Sequence, residues 1–252
     1  MAPADRHHQH RGRPPSPVGC GGPGRRRRAL ALLPLPLFLI FSLVALRMPS
    51  LAHGFSLEGS QTSYAQFRKW NPGLNGSLEF EFKTESANGL LLYTDDGGTY
   101  DFFEVKLVEG ALRLRFNLGG GAQILTVGRE LSDGHWHKVR VTRDVERTSL
   151  TVDGVTRTKV SRGREFNFGS LRTNSDVFVG GVPTAWYGSR LALLALPSVI
   201  FEPRFGGSVR NLVYADEEVG VARRQEVKMK DFKTFKELRG IEQQLHFEGI
   251  IP

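Results

Sequence analysis

The sequence predicts an all-β fold, a sandwich or a barrel, for most of its 252 residues. From Phe55 to about Tyr214, apolar and polar residues alternate with a period of two, as in strands with one buried and one exposed face. Short turns rich in Gly and Asp separate the alternating runs. Because several runs show this pattern independently, the predicted fold class does not depend on any single segment.

The first clear runs come in the first half of the chain. Residues 77–83 (SLEFEFK) alternate Leu and Phe with acidic and basic residues, and residues 102–108 (FFEVKLV) and 111–117 (ALRLRFN) follow the same rule. The turns TDDGGTYD and EG separate them. Each run is therefore predicted to form one strand of a sheet whose apolar side faces the core.

The run from Asp133 to Gly154 contains two histidines that flank a tryptophan. His137 shares a predicted strand face with His135, Val139 and Val141, so we predict that His137 points with the valines into the core. A zinc site at this pair lacks a third ligand, because after residue 52 the other histidines lie near the two chain ends and no cysteine is present. The stretch is predicted to be a hairpin, with a tight turn at Asp153-Gly154.

Residues 1–52 are predicted to be a disordered basic preamble followed by a signal peptide. Arg25–Arg28 precedes eighteen uncharged, mostly apolar residues, and Ser50-Leu51-Ala52 fits the small-x-small pattern of a cleavage site. An uncleaved signal anchor is the alternative, since eighteen residues can just span a bilayer. Both interpretations place the rest of the chain in secreted form or on the extracellular face of the plasma membrane.

The distribution of charge excludes one class of partner. The net charge is +8, but eight of the 34 Lys and Arg residues and one of the 26 Asp and Glu residues precede residue 53, which leaves +1 for the remainder. A nearly neutral remainder lacks the basic surface that nucleic-acid binding needs, so we expect no nucleic-acid partner.

Cys20 lies in the predicted leader, residues 1–52. Asn75-Gly76-Ser77 predicts N-glycosylation at Asn75.

Catalytic patterns are weak. Glu79 and Glu81 are ~7 Å apart on one predicted strand face, a spacing that glycoside hydrolysis could use. However, alternating Glu and Phe is typical of any half-exposed strand. The glycines at 119–121 are not followed by the helix and Lys-Ser/Thr pair of a phosphate-binding loop. We therefore expect no enzymatic activity and no catalytic substrate.

Several motifs together resemble the laminin G-like (LNS) domain. They are NGLLLYTDDG, DFFEVKLVEGALRLRFNLG, DGHWHKVRVTRD followed by TSLTVDG, VFVGGVP and FGGSVRNLVYAD. The likeness covers Phe55 to Asp216 and, with SLEGSQTSYAQFRKWN, is similar to the first LNS domain of arthropod alpha-neurexins. It implies a laminin G-like jelly-roll sandwich of two antiparallel sheets over residues 53–222. It also implies an extracellular adhesion or receptor module that binds cell-surface proteins at synapses.

The resemblance further implies a Ca²⁺ site at the rim of the sandwich. Its acidic ligand would be Asp101, with main-chain carbonyl ligands at Leu118, Ser170 and Arg172. Calcium favours such hard oxygen ligands. The alternative is that Asp101 only begins a strand and caps the preceding turn.

A glycan-binding, lectin-like extracellular domain is the alternative function. Arg113, Arg115, Lys138 and Arg140 all lie on outward faces of their predicted strands. If those strands are neighbours, the four form a basic patch suited to sulfated glycans such as heparan sulfate. Otherwise they are ordinary solvated strand residues.

Residues 223–252 form a basic tail that we predict to be a linker or a short helix. Apolar residues recur every three or four positions, at Phe232, Phe235, Leu238, Ile241 and Leu245, which suggests an amphipathic helix. Full-length alpha-neurexins continue into further domains and a membrane span. On that resemblance, we expect the sequence to be a fragment, a truncated gene model or a short secreted isoform.

Overall fold

A computed structural model describes residues 53–161, 172–216 and 220–238. The predicted leader, Ser170 and residues 239–252 lie outside these ranges. No helix in the described part of the chain is long and apolar enough to cross a membrane.

The described residues form two antiparallel sheets, which confirms the all-β jelly-roll sandwich. The larger sheet has eight strands: β1 (Gly54–Glu58), β3 (Ser77–Lys83), β8 (His137–Asp144), β9 (Arg147–Val152), β10 (Val155–Val160), β12 (Gly206–Ala215), β13 (Arg223–Arg224) and β15 (Phe235–Glu237). The other sheet has seven: β2 (Ala65–Phe67), β4 (Gly89–Asp95), β5 (Phe102–Val108), β6 (Ala111–Asn117), β7 (Gln123–Val127), β11 (Val177–Val179) and β14 (Met229–Lys230). A short helix α1 (Thr184–Tyr187) and two 3-10 helices (Leu191–Leu193 and Pro197–Phe201) precede β12.

The strand order shows how distant segments meet. In the eight-stranded sheet the order is β10-β9-β8-β3-β12-β1-β15, with β13 paired to β12; in the other sheet it is β14-β2-β11-β4-β5-β6-β7. The inward residues of β3, β6 and β8 alternate with outward ones as the sequence predicts. Trp70, whose ring centroid lies 5.2 Å from that of Phe103, is among the largest fully buried side chains.

The predicted hairpin at 133–154 is confirmed and extends into a three-stranded meander. β8 pairs with β9, and β9 pairs with β10. Asp153 and Gly154 have φ angles of 48° and 84°, so both central residues of this two-residue turn are left-handed, as a type I′ hairpin turn requires. His137 is buried beside Val139 and Val141.

The seven-stranded sheet departs from simple alternation. All seven residues of β4 are buried, because the segment from 180 to 205 covers the outer face of this sheet. A second hydrophobic cluster lies under that cover: Leu90, Tyr93, Phe102, Phe178, Val182, Leu194, Leu196 and Val199. The expectation that each strand has one solvent-facing side is therefore wrong for β4.

The structure also corrects the prediction for the tail at 223–252. Through Leu238 the tail is neither helix nor free linker, since β13, β14 and β15 add to the two sheets. Phe235 stacks on Phe55 with ring centroids 4.9 Å apart, whereas Phe232 is 84% exposed. Open sheet edges satisfy the backbone groups of this segment, and a short isolated helix would gain little packing in compensation. The domain thus reaches at least residue 238.

Candidate functional site

Asp101 immediately precedes β5 and is buried. Its Oδ1 accepts a hydrogen bond from the Gly119 amide at 3.0 Å, and its backbone carbonyl accepts one from the Asp96 amide at 2.9 Å. The carboxylate of Asp96 in turn accepts three amide hydrogens, from Thr99, Tyr100 and Asp101 itself. Asp96 closes the turn, and Asp101 joins that turn to the end of β6.

The same bond fixes the position of Leu118. Leu118 is buried, and its carbonyl belongs to the peptide unit whose N–H is donated by Gly119 to Asp101. In a trans peptide the C=O and N–H point in opposite directions, so the Leu118 carbonyl points away from Oδ1 of Asp101. A cation held by both residues would need the other carboxylate oxygen or a rotated peptide.

The third expected ligand is described, and the fourth is not. The carbonyl of Arg172 accepts a hydrogen bond from the ammonium of Lys69 at 3.2 Å. The Lys69 ammonium thus contacts the carbonyl oxygen that would have to bind Ca²⁺. Ser170 lies outside the described residues. In the described part of the chain no group of three or more His, Cys, Asp or Glu residues is placed to hold a metal, and a calcium site of one carboxylate and main-chain carbonyls stays a prediction.

The four basic residues of the glycan hypothesis are separated by the fold. Arg113 and Arg115 are on β6 of the seven-stranded sheet, whereas Lys138 and Arg140 are on β8 of the eight-stranded sheet. The outward faces of these sheets are on opposite sides of the sandwich. The four residues therefore do not form one basic patch, because their strands are not neighbours.

Each pair also has local partners. The guanidinium of Arg115 lies over the Phe102 ring, 5.4 Å from its centroid. Arg140 Nε is 3.1 Å from Glu79 Oε1, and Lys138 Nζ is 3.6 Å from Glu79 Oε2. These contacts offset part of the positive charge on the eight-stranded face.

The acidic pair weighed for catalysis is also engaged in ion pairs. Glu79 faces Lys138 and Arg140, and Glu81 accepts a hydrogen bond from Arg210 Nε at 2.7 Å. Both carboxylates thus neutralise cations on adjacent strands of the eight-stranded sheet.

His137 is satisfied by carboxylates. Its Nδ1 is 2.7 Å from Asp153 Oδ2, and its Nε2 is 3.1 Å from Asp133 Oδ1. The backbone N–H of His135 lowers the pKa of Asp133, as do hydrogen bonding and charge from His137. His135 itself precedes β8 and is exposed, so the two histidines do not share a strand face.

Asn75 is exposed in the bend that leads into β3. An exposed position is what an attached glycan needs, and glycosylation at Asn75 stays a prediction.

Two carboxylates that the sequence did not single out are buried beneath the covered face. Asp95 accepts hydrogen bonds from the Tyr93 hydroxyl at 2.8 Å and from the Ala195 amide at 2.9 Å, while burial raises its pKa. Burial also raises the pKa of Glu104, and Lys106, 3.3 Å away, acts in the opposite direction. Both were hidden from sequence analysis because their strands look half-exposed when the segment 180–205 is not placed over them.

A cleft with a volume of about 500 Å³, which we call the aromatic cleft, lies beside this covered face. The loop before β2, β2, β11, α1 and β14 contribute its lining: Thr62, Tyr64, Gln66, Asp176, Phe178, Pro183, Thr184, Ala185, Tyr187 and Met229. No local sequence signal marks it, because its wall is assembled from segments more than 160 residues apart.

A model of the Laminin G domain family matches residues 82–217, more than half of the chain. The chain is 68% identical to Neurexin 1 of Drosophila melanogaster over 75% of its own length and 10% of that protein. It is 39% identical to Neurexin-2 of Homo sapiens over 64% of its own length and 9% of that protein. The chain thus spans about a tenth of the length of the neurexins that it matches.

The fold has counterparts among solved structures. Domains LG4-5 of the mouse laminin alpha1 chain superpose with a TM-score of 0.57 and 25% identity, covering 73% of this chain and 45% of that one.

Proposed function

The chain belongs to the laminin G domain family, and we propose that it acts as an extracellular adhesion or receptor module that recognises protein partners. The observation that carries this proposal is the 68% identity to a neurexin over three quarters of the chain. Because the likeness spans only a tenth of that protein, the partners of a whole neurexin are not transferred. We propose a cell-surface protein at synapses as the class of partner, with the chain secreted or held on the extracellular face of the plasma membrane.

Binding rather than catalysis is the proposed mode of action. Glu79 and Glu81, the carboxylates with suitable spacing, neutralise Arg and Lys side chains on neighbouring strands. Engagement of both carboxylates in these ion pairs is unfavourable for the proton-donor role that glycoside hydrolysis requires.

Recognition of sulfated glycans is the weaker candidate. Arg113 and Arg115 lie across the sandwich from Lys138 and Arg140, so one linear polyanion cannot contact all four at a single flat surface. Two separate pairs of cations give less affinity than one patch of four, since counterion release grows with the number of contacts made together.

The test is a binding screen of the secreted chain against purified extracellular proteins and heparin, in calcium and in chelator. The proposal expects a protein partner whose binding survives excess heparin. Binding to heparin alone, competed by salt, would instead support the glycan-binding alternative.

We further propose that Ca²⁺ binds weakly at Asp101, with Kd of the order of 10⁻⁴–10⁻³ M as in extracellular modules. Weak binding follows from the arrangement of the rim, since a cation held by Asp101 and Leu118 needs the other carboxylate oxygen or a rotated peptide, and the Lys69 ammonium competes for the Arg172 carbonyl. Calorimetry on the wild type and Asp101→Asn is the first measurement, and the variant should lose binding while remaining folded. Equal uptake by both proteins would place the site elsewhere.

Lys69→Gln provides the second measurement. If the Arg172 carbonyl is a ligand, removing the competing ammonium should strengthen calcium binding about three- to tenfold, because one like charge is taken from the site. Lys236→Gln, which removes a cation paired with Glu58 elsewhere on the surface, is the matched control and should leave the affinity unchanged. Identical affinities for both variants would exclude Arg172 from the site.

A further inference from the structure

The aromatic cleft has the form of a binding site. At about 500 Å³ it falls within the range of ordinary ligand pockets. Phe178 is buried and makes an edge-to-face contact with Tyr187, with ring centroids 5.6 Å apart. Tyr64 and Tyr187 are half-buried and complete the aromatic lining, while Met229 stays 53% exposed. Aromatic rings are therefore accessible from outside at a site anchored to the sheet.

The only charge among the ten lining residues is acidic. Asp176, immediately before β11, has a side chain that is 11% exposed. Its Oδ2 contacts Gln66 Nε2 and lies 2.7 Å from Lys228 Nζ. Its Oδ1 accepts no hydrogen bond from the residues that the structure describes. One carboxylate oxygen is thus left to accept from an incoming donor.

The electrostatic environment of Tyr187 agrees with this arrangement. Burial, together with the negative charges of Asp95 and Asp176, raises the pKa of Tyr187 to about 12. Both carboxylates therefore act on the Tyr187 hydroxyl in the same sense. Lys228, which is half-exposed and outside the lining, is the cation paired with Asp176.

Another cleft in the described part of the domain has a different character. It has a volume of about 460 Å³ and lies between β1, β12 and the tail. Its lining carries both signs of charge, including Arg210, Lys230, Glu226 and Glu237. A mixed lining favours no sign of ligand, whereas aromatic rings with one acid favour a cation.

We propose that the aromatic cleft receives an arginine side chain presented by a protein partner. A guanidinium stacks on aromatic faces, is weakly hydrated, and directs several N–H groups in a plane, so it could contact Tyr64 or Tyr187 and donate to Oδ1 of Asp176. Arginine fits the half-enclosed apolar lining better than lysine, whose ammonium is more strongly hydrated. Hydrogen bonding to a carboxylate also distinguishes it from an apolar side chain, which would leave Asp176 desolvated without a new donor.

This inference deepens the proposed function and rests on the chain being a protein-binding module. The arginine-binding inference and the proposed protein-binding function can fail separately. The binding screen reports on the whole surface, whereas the cleft is tested with a small probe that needs no partner protein.

The probe is N-acetyl-arginine amide, titrated into the labelled chain and followed by amide chemical shifts. N-acetyl-leucine amide and N-acetyl-glutamate amide are the comparison probes. We expect the arginine probe to bind at about millimolar concentration and to shift amides of the cleft, while the other two produce smaller changes there. Equal or stronger binding of the leucine probe would show an apolar site and overturn the proposal. Shifts confined to other surfaces would overturn it as well.

A charge-reversed pair of variants sharpens the test without disturbing the sheets. Ala185 lines the cleft from the exposed side of α1. Ala185→Glu should strengthen arginine binding about three- to tenfold and Ala185→Lys should weaken it by a similar factor, because one unit charge is added near the guanidinium. Affinities that do not differ between these two variants would contradict a cationic occupant.

Asp176→Asn tests the proposed hydrogen-bond acceptor directly. We expect a loss of affinity of about tenfold, with Glu226→Gln in the mixed cleft as the control of equal charge change and no effect on the probe. Amide spectra of the free variants establish that each is folded. Retention of full affinity in folded Asp176→Asn would remove Asp176 from the site and overturn the proposal.

Discussion

The two outer faces of the sandwich differ in what lies over them. On the eight-stranded sheet, Lys138 and Arg140 remain exposed and pair with Glu79 on the neighbouring strand. On the seven-stranded sheet, the segment from 180 to 205 covers the strands and encloses a second hydrophobic cluster. Asp95 and Glu104 are buried beneath this cover.

Because of this difference, outward-facing polar residues affect the free energy of unfolding differently in the two sheets. Exposed cross-strand ion pairs contribute little to stability, because water screens them and long side chains lose entropy in forming them. A buried carboxylate must replace its hydration with hydrogen bonds, and burial alone raises its pKa. The same alternating pattern in the sequence therefore leads to a solvated face in one sheet and a second core in the other.

The largest expected effect comes from the cover. Phe102 faces outward on β5 yet is only 4% exposed, so Phe102→Ala should lower the free energy of unfolding by about 3–5 kcal/mol, as for other buried phenylalanines. Arg140→Ala, at an outward position of β8, should change it by about 1 kcal/mol or less. Urea denaturation of both variants gives the comparison. Similar losses would mean that the two faces are equivalent and that the cover contributes little.

A second prediction concerns the inner face of the eight-stranded sheet. His137→Ala removes the side chain that bridges Asp133 and Asp153, and should destabilise the domain by about 1–3 kcal/mol. The loss of stability should be the same in chelator and in added zinc, because both ring nitrogens contact carboxylates and the side chain is not expected to bind a metal. Melting temperatures under the two conditions provide the measurement, and a zinc-dependent difference would revive a metal role for this residue.

The third prediction concerns the pH dependence of stability that Glu104, buried on the covered face, is expected to cause. Burial raises the pKa of Glu104, so the folded state favours the protonated carboxyl. Protonated Glu104 therefore contributes to the free energy of unfolding fully at pH values below its pKa in the unfolded chain, about 4.3. The contribution is lost as the pH rises through the pKa of Glu104 in the folded state. Glu104→Gln keeps a neutral side chain at every pH. The stability of the variant relative to the wild type should therefore increase as the pH rises from 4 to 7.

Asp95→Asn tests the same relation at the other buried carboxylate, whose pKa is also raised by burial. Its stability relative to the wild type should change with pH in the same direction, although the hydrogen bonds from Tyr93 and Ala195 reduce the size of the change. Denaturation at pH 4 and pH 7 checks both variants. A gain that is larger at pH 4 would show that the ionised forms are the ones stabilised by the fold.

The smallest effect is expected for the separated basic residues. Since Arg113 and Arg115 are on one sheet and Lys138 and Arg140 on the other, alanine substitutions in the two pairs should weaken heparin binding independently. Each pair should lower the affinity by a few-fold at most, and the combined variant should lose the sum of the two free-energy changes. A combined loss much larger than that sum would mean that one glycan chain engages both pairs together.

Sequence analysis predicted most of the framework. Period-two alternation identified β3, β5, β6 and β8, and Asp153-Gly154 marked a hairpin turn that the structure shows with both residues left-handed. These features depend on local chemistry, so they can be read from short stretches of sequence. The laminin G-like motifs implied a sandwich of two antiparallel sheets, but they did not give the order of the strands within each sheet.

The remaining features depend on contacts between distant segments. Nothing near Glu104 indicates that residues 180–205 will cover it, and nothing in the tail indicates that Phe235 will stack on Phe55. Apolar residues spaced by three or four in the tail suggested a helix, but the segment through Leu238 pairs with open sheet edges instead. The basic patch failed for the same reason, because strand order decides which outward residues are neighbours.

The central claim is that this sandwich recognises a protein on the cell surface. The most direct measurement is binding of the tagged chain to cultured neurons before and after enzymatic removal of heparan sulfate, and after mild proteolysis of the surface. The account predicts that binding persists after glycan removal and is lost after proteolysis. Loss of binding on glycan removal alone would contradict it and establish the glycan-binding alternative.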